Sequence, residues 1–226
     1  MKPSVSHPVQ IGIEGGWVDG DLVIPPGASG LVIFAHGSGS GRHSRRNRAV
    51  AESLQRAGLA TFLLDLLTPA EETIDVATAE FRFDVGLLAE RVIAAIDWAQ
   101  RNPETSAGRI GLFGASTGAA AVLIAAAARP ETVGAVVSRG GRPDFAGRAL
   151  RAVRSPTLLI VGGADHQVIA LNRRACDELG CERHLEIVPG ASHLFEERGA
   201  LDEVAQLAAA WFTHHLTGWE RTSRSA

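Results

Sequence analysis

Short apolar, β-branched runs recur along this chain, each followed by a longer stretch of helical period, and that alternation limits the possible folds more than any other feature. Leu31-Val32-Ile33-Phe34-Ala35 is apolar throughout, as a strand buried on both faces must be. Ala60 to Leu64, Ile110 to Phe113, Ala135-Val136-Val137, Thr157 to Val161 and His184 to Val188 read as further strands. Helices are expected at about Arg46 to Ala57, Phe81 to Arg101, Thr117 to Ala128, Ile169 to Leu179 and Leu201 to His215. The start differs: Val9 to Ile13, a turn at Glu14-Gly15-Gly16, then Trp17 to Ile24 read as a hairpin. An antiparallel start followed by repeated strand–helix units predicts an α/β protein, with a mostly parallel sheet flanked by helices on both faces. Chemistry in such sheets collects at the C-terminal ends of the strands.

The chain has 226 residues, enough for one sizeable core. No repeat or linker divides it, so residues 1–216 are expected to form one domain, with 217–226 a polar tail. A formal net charge of −3 gives no reason to expect a nucleic-acid or membrane partner. The first ten residues, MKPSVSHPVQ, contain no apolar core of a secretion signal, and the apolar stretch Ala119 to Ala128 is too short to span a bilayer. A cytoplasmic protein is expected. Its two cysteines, Cys176 and Cys181, read as reduced and structural, since they lack the histidine partners of a metal site. Neither metal nor cofactor is implied, and the oligomeric state is left open.

Three strand ends carry residues that belong together chemically. Gly114-Ala115-Ser116-Thr117-Gly118 matches G-x-S-x-G between an expected strand and an expected helix, the context in which that pattern holds a serine nucleophile out of a sharp turn. The plainer reading is a Gly-rich turn with an N-cap serine. Asp165 follows Thr157 to Ala164, and His193 lies in Pro189-Gly190-Ala191-Ser192-His193 after the last strand. A serine needs a base, and the base needs an orienting carboxylate. Ser116, Asp165 and His193 occur in the chain order expected of this architecture. Asp65 and Asp144 also follow strands and stand as reserve acids. His166, His184, His214 and His215 fit a base less well, because of their neighbours or their places in a strand or helix end.

A tetrahedral intermediate needs two N–H donors aimed at its oxygen anion. Thr117 supplies one in this reading, and Phe34-Ala35-His36-Gly37-Ser38-Gly39-Ser40-Gly41 supplies the other, from Ser38 with Gly39 in reserve. His36 fits an orienting role in that loop or a contact to substrate. No Gly-Lys-Ser/Thr follows it, which argues against a nucleotide phosphate loop.

The segments Phe-Ala-His-Gly-Ser-Gly-Ser, Gly-Ala-Ser-Thr-Gly, Val-Gly-Gly-Ala-Asp and Gly-Ala-Ser-His resemble the dienelactone hydrolase-like branch of the α/β hydrolases, from about Val9 to Phe212. The resemblance implies Ser116, Asp165 and His193 as a catalytic triad. One departure is plain: true dienelactone hydrolases carry cysteine where this chain has Ser116. Only Arg139 to Pro156 separate two strands between which larger relatives insert a lid, so no lid domain is expected and the site should be open.

Arg139 and Arg142 fall at a strand end near the triad. Arg139 is a candidate contact for a substrate anion, along with His36 and Gly39 as substrate-binding residues, while Arg142 reads as paired with Asp144 or Glu131. Arg42, His43, Arg45, Arg46 and Arg48 read as a solvated helix face that still sits close enough to the site to bias it toward anionic substrates. The expected function is hydrolysis of a small carboxylic ester, thioester or lactone through an acyl-enzyme on Ser116. Acyl transfer or peracid formation with the same triad, and a non-catalytic binding protein on the same fold, are the alternatives.

Overall fold

The computed structural model describes residues 6–106 and 108–216. The expected tail from Thr217 lies outside the described residues. Among the described residues, eight strands form one sheet: β1 (Ser6–Ile13), β2 (Gly16–Val23), β3 (Leu31–Ala35), β4 (Ala60–Leu64), β5 (Ile110–Ala115), β6 (Val133–Arg139), β7 (Thr157–Gly162) and β8 (Arg183–Val188). Their order is β1-β2-β4-β3-β5-β6-β7-β8. β1 pairs antiparallel with β2 and β2 antiparallel with β4, and every later pairing is parallel.

The α-helices among the described residues are α1 (Arg45–Arg56), α2 (Pro69–Thr78), α3 (Val85–Arg101), α4 (Thr117–Ala128), α5 (His166–Glu178) and α6 (Ala200–His215). α2 was not foreseen, although Thr68-Pro69-Ala70-Glu71 carries its start signal. Thr68 Oγ1 accepts from the Glu71 N–H and Glu71 Oε2 accepts from the Thr68 N–H, a reciprocal cap. Phe81 to Asp84, expected to open a helix, instead precede α3, whose N-cap Asp84 accepts from the Leu87 N–H at 3.0 Å.

Alternation along the strands splits the interior into two layers. Leu31, Ile33 and Ala35 of β3 face one side, with Leu88, Val92 and Ile96 of α3 and the alanines of α4. Val32 and Phe34 face the other, with Val50 and Leu54 of α1 and Val204, Ala208 and Phe212 of α6. α4 is buried almost all round, and its small side chains let it lie close against β5. Between β6 and β7 the chain forms only a 3-10 segment, Pro143–Ala152, so no lid domain stands there. Cys176 and Cys181 are unpaired, half-buried thiols, and burial pushes both above the ordinary thiol pKa. No helix among the described residues is long and apolar enough to cross a membrane.

Candidate active site

Ser116 stands between β5 and α4 with φ 50° and ψ −118°, a backbone conformation rare for any residue with a side chain. Its neighbours hold it there. The Ser116 N–H donates to Arg139 O at 3.2 Å, and Ser116 O accepts from the Arg142 N–H at 3.1 Å. The two motif glycines are required by close approach. A Cβ at Gly118 would lie 2.4 Å from His36 O, and one at Gly114 would lie 2.5 Å from the Ala119 Cα. The serine makes no side-chain cap bond to α4, so the plainer N-cap reading does not describe it.

Asp165 occupies the N-cap position of α5 without capping it. Its Oδ2 lies 2.6 Å from His193 Nδ1, with the Asp165 side chain 14 % exposed and His193 39 % exposed. Two Gly-rich turns dock to make this pair. Ala164 N–H donates to Ala191 O at 2.9 Å and Gly163 N–H to Val188 O at 2.8 Å. A Cβ at Gly162 would meet Ala191 O at 2.4 Å. Behind His193, the buried Phe195 adopts φ 56° and anchors the loop.

Ser116, His193, Ser38 and Arg139 line one open cleft of about 220 Å³, together with Ser44, Arg46, Asn47 and Leu194. The Ser38 N–H donates to Thr117 Oγ1 at 2.9 Å, which pins the loop after β3 to the turn that carries Ser116. The Thr117 N–H is the first of α4 and has no intrahelical partner.

Other residues considered from sequence lie apart from this cleft. His36 is buried and uses both ring nitrogens: Nδ1 is 2.9 Å from Gly37 O, and Nε2 accepts from the Leu66 N–H at 3.2 Å. Burial pushes its pKa below the ordinary value, and this bonding selects the neutral ring with its proton on Nδ1. His36 thus braces the loop and does not line the Ser116 cleft. Gly39 turns the loop with φ 68° and faces a neighbouring cleft lined by Asp19, Arg42 and Asp65.

Asp65 is engaged by Arg42, through both the backbone N–H and the guanidinium. Asp144 holds Arg142 in a two-pronged pair at 2.9 and 2.8 Å, and the Arg142 guanidinium lies over the Phe145 ring. His166 is an exposed residue at the start of α5, His184 pairs with Glu186, and His215 packs on Trp211. Of the basic residues around α1, Arg42 and Arg48 face Asp19, Asp21 and Asp65, whereas Arg46 enters the cleft. Arg46 is thus part-exposed and also lines the cleft, at the closeness to the site expected of this basic cluster. Its position two residues inside the helix, just past the N-cap Ser44, was the available signal. No group of three or more His, Cys, Asp or Glu among the described residues could hold a metal ion.

A mostly parallel eight-stranded sheet with an acute strand–helix turn at the centre defines the α/β-hydrolase fold. The chain belongs to the dienelactone hydrolase family, whose sequence profile matches residues 18–219. A solved dienelactone hydrolase from Anabaena variabilis is 58 % identical and superposes with a TM-score of 0.93, over 94 % of this chain and 99 % of that one. A Xanthomonas campestris α/β serine hydrolase described as without lid has a TM-score of 0.75 at 22 % identity, over 96 % and 97 % of the two chains. A Mycobacterium tuberculosis protein provisionally named a phosphoribosyl transferase is 54 % identical over 201 residues, which are 89 % of this chain and 44 % of that protein. The chain therefore spans less than half the length of that relative.

Proposed function

We propose that this protein hydrolyses small carboxylic esters, thioesters or lactones through an acyl-enzyme on Ser116. The observation that carries the reading is the 2.6 Å contact between His193 Nδ1 and Asp165 Oδ2, with His193 lining the cleft that Ser116 also lines. The Asp165 carboxylate accepts the Nδ1–H and leaves Nε2 as the base. His193 takes the proton from Ser116 Oγ as that oxygen attacks the substrate carbonyl. The oxygen anion then accepts from the Thr117 N–H and from the Ser38 N–H, which it draws from Thr117 Oγ1. His193 passes its proton to the leaving alcohol, thiol or ring oxygen. It next deprotonates a water that releases the acid and restores Ser116. The partly exposed His193 and the open cleft favour water as the second nucleophile.

The phosphoribosyl transferase name comes from a protein of which more than half lies outside the match. The matched segment is the one that carries Ser116, Asp165 and His193, so acyl chemistry is the reading for this chain.

A panel of aryl esters, lactones and thioesters, assayed with wild type and Ser116→Ala, tests the proposal. Fluorophosphonate labelling of Ser116 and loss of turnover in the variant are expected. A protein that is neither labelled nor active on any of the three classes overturns it.

A further inference from the structure

Asn172 of α5 is fully buried, and its amide makes one bond that the helix does not require. Nδ2 donates to Val168 O at 2.8 Å, one turn back on the same helix. It also donates to Gly141 O at 3.0 Å, 31 positions away in the chain. Its Oδ1 is buried without a partner. A buried amide left half-satisfied lowers stability, and an apolar side chain of similar size would avoid that loss. What the amide supplies is a fixed position for Gly141.

Gly141 belongs to the turn from Arg139 to Arg142 after β6, where the parts of the proposed triad meet. Ser116 is bonded to both ends of that turn: its N–H donates to Arg139 O at 3.2 Å, and its carbonyl accepts from the Arg142 N–H at 3.1 Å. Gly140, between them, lies against His193. A Cβ at Gly140 would be 3.1 Å from His193 O and 3.5 Å from Cε1, the ring carbon bonded to both nitrogens. Asp165 is the N-cap residue of α5, the helix that carries Asn172. Gly141 itself fits closely, since a Cβ there would lie 2.0 Å from Ser138 Oγ and 2.6 Å from the Ala119 Cβ of α4. The Asn172–Gly141 bond therefore ties the helix that begins at the acid to the turn that holds the nucleophile and supports the base.

We propose that Asn172 is a positioning residue for the reaction at Ser116: by holding Gly141, it keeps the serine and the His193 imidazole aligned with each other and with Asp165. This rests on the hydrolase reading of Ser116. Asn172 is fully buried and does not line the cleft, so substrate binding does not pass through it. The rate of attack does, because nucleophile and base react only within hydrogen-bond reach of each other.

The test measures kcat and KM on para-nitrophenyl butyrate, and the second-order rate of fluorophosphonate labelling, in wild type, Asn172→Leu and Ser155→Ala. Ser155 makes the same kind of buried bond, from Oγ to Val133 O at 2.8 Å, but at the starts of β6 and β7, away from the site. In Asn172→Leu, kcat and the labelling rate should fall together by about 10- to 100-fold, with KM within about twofold. Ser155→Ala should keep all three near wild type, whatever its thermal melt.

An unchanged kcat and labelling rate in Asn172→Leu, or a loss confined to KM, overturns the proposal. An equal loss in Ser155→Ala also overturns it, since stability alone would then account for the effect. If Asn172→Leu fails to fold, as judged by its thermal melt, Asn172→Ala, which adds no bulk, is judged by the same criteria. Wild type that is labelled and active beside an unaffected variant removes only the role of Asn172. Wild type that is neither labelled nor active removes the hydrolase reading beneath it.

Discussion

Asp165 turns its carboxylate away from the helix it precedes and toward His193, whose Nδ1 lies 2.6 Å from Asp165 Oδ2. Asp144, the other acid after a neighbouring strand, is spent on Arg142. Asp165→Asn should therefore lower kcat by about 10³–10⁴-fold, since an amide no longer stabilises the imidazolium or selects its tautomer. Asp144→Asn should stay within about threefold, the cost of a part-exposed ion pair. A larger loss from Asp144→Asn, in the same ester assay, would move the acid assignment.

Ser116 combines the proposed nucleophile with a backbone at φ 50° and ψ −118°. Ser116→Ala should lose about 10⁴-fold or more in kcat while keeping the fold. Ser116→Gly should be equally inactive and more stable by about 1 kcal/mol, because glycine relieves the strained conformation. Thermal melts check this; equal or lower stability of the glycine variant would mean that the turn stores no strain.

Gly162 is where the turn carrying Asp165 meets the loop carrying His193. An added Cβ would sit 2.4 Å from Ala191 O and 2.5 Å from Ser192 O, and backbone atoms cannot swing aside. Gly162→Ala should cost about 1–3 kcal/mol in chemical denaturation, with a fall in activity as His193 shifts. Gly12→Ala in β1 meets nothing within 4 Å and should stay within about 0.5 kcal/mol. Equal effects would show that the docking of the two turns is loose.

Burial holds His36 below its ordinary pKa of 6.5, so the folded protein binds fewer protons there than the unfolded chain. The stability due to neutral His36 is complete above pH 6.5. It is lost as pH falls from 6.5 through the lowered folded value. His215, also lowered by burial, acts in the same direction. Melting temperatures between pH 8 and pH 5 should fall on the acid side, and less so in His36→Gln, whose amide can still accept from the Leu66 N–H. An identical pH slope in the variant would assign the loss to other groups.

With only the 3-10 segment Pro143–Ala152 between β6 and β7, little apolar surface can wrap a long acyl chain. Each methylene that stays in water forgoes about 0.8 kcal/mol of burial. Rates on a series of esters should be best for short acyl groups, about two to six carbons by that estimate. Rates that keep rising to long chains would point to an apolar wall elsewhere.

Much of this was legible from residue order. Strand runs such as Leu31 to Ala35 are apolar because both faces of a parallel sheet are covered, so composition reports burial directly. Ser116, Asp165 and His193 could be named because each follows a strand, and the ends of parallel strands converge. α2 was hidden because its apolar residues do not form a strong stripe: Ile74 and Val76 are exposed, and its start depends on one cap, Thr68 with Glu71. Boundaries also moved by a few residues where caps, rather than periodicity, decide the ends.

Local pattern thus determined the layers, the turn at Ser116 and the order of the proposed triad, because each depends on spacing within one strand–helix unit. Only the tertiary structure decided which charges are satisfied. Asp144 and Arg142 are two residues apart and find each other, while Asp165 reaches across 28 positions to His193. Arg42 is neutralised by acids from β2 and the end of β4. Arg46, four residues on, faces Arg139 from a distant strand. Charge pairing depends on distances between elements that are remote in the chain, and those distances are set when the layers close on the sheet.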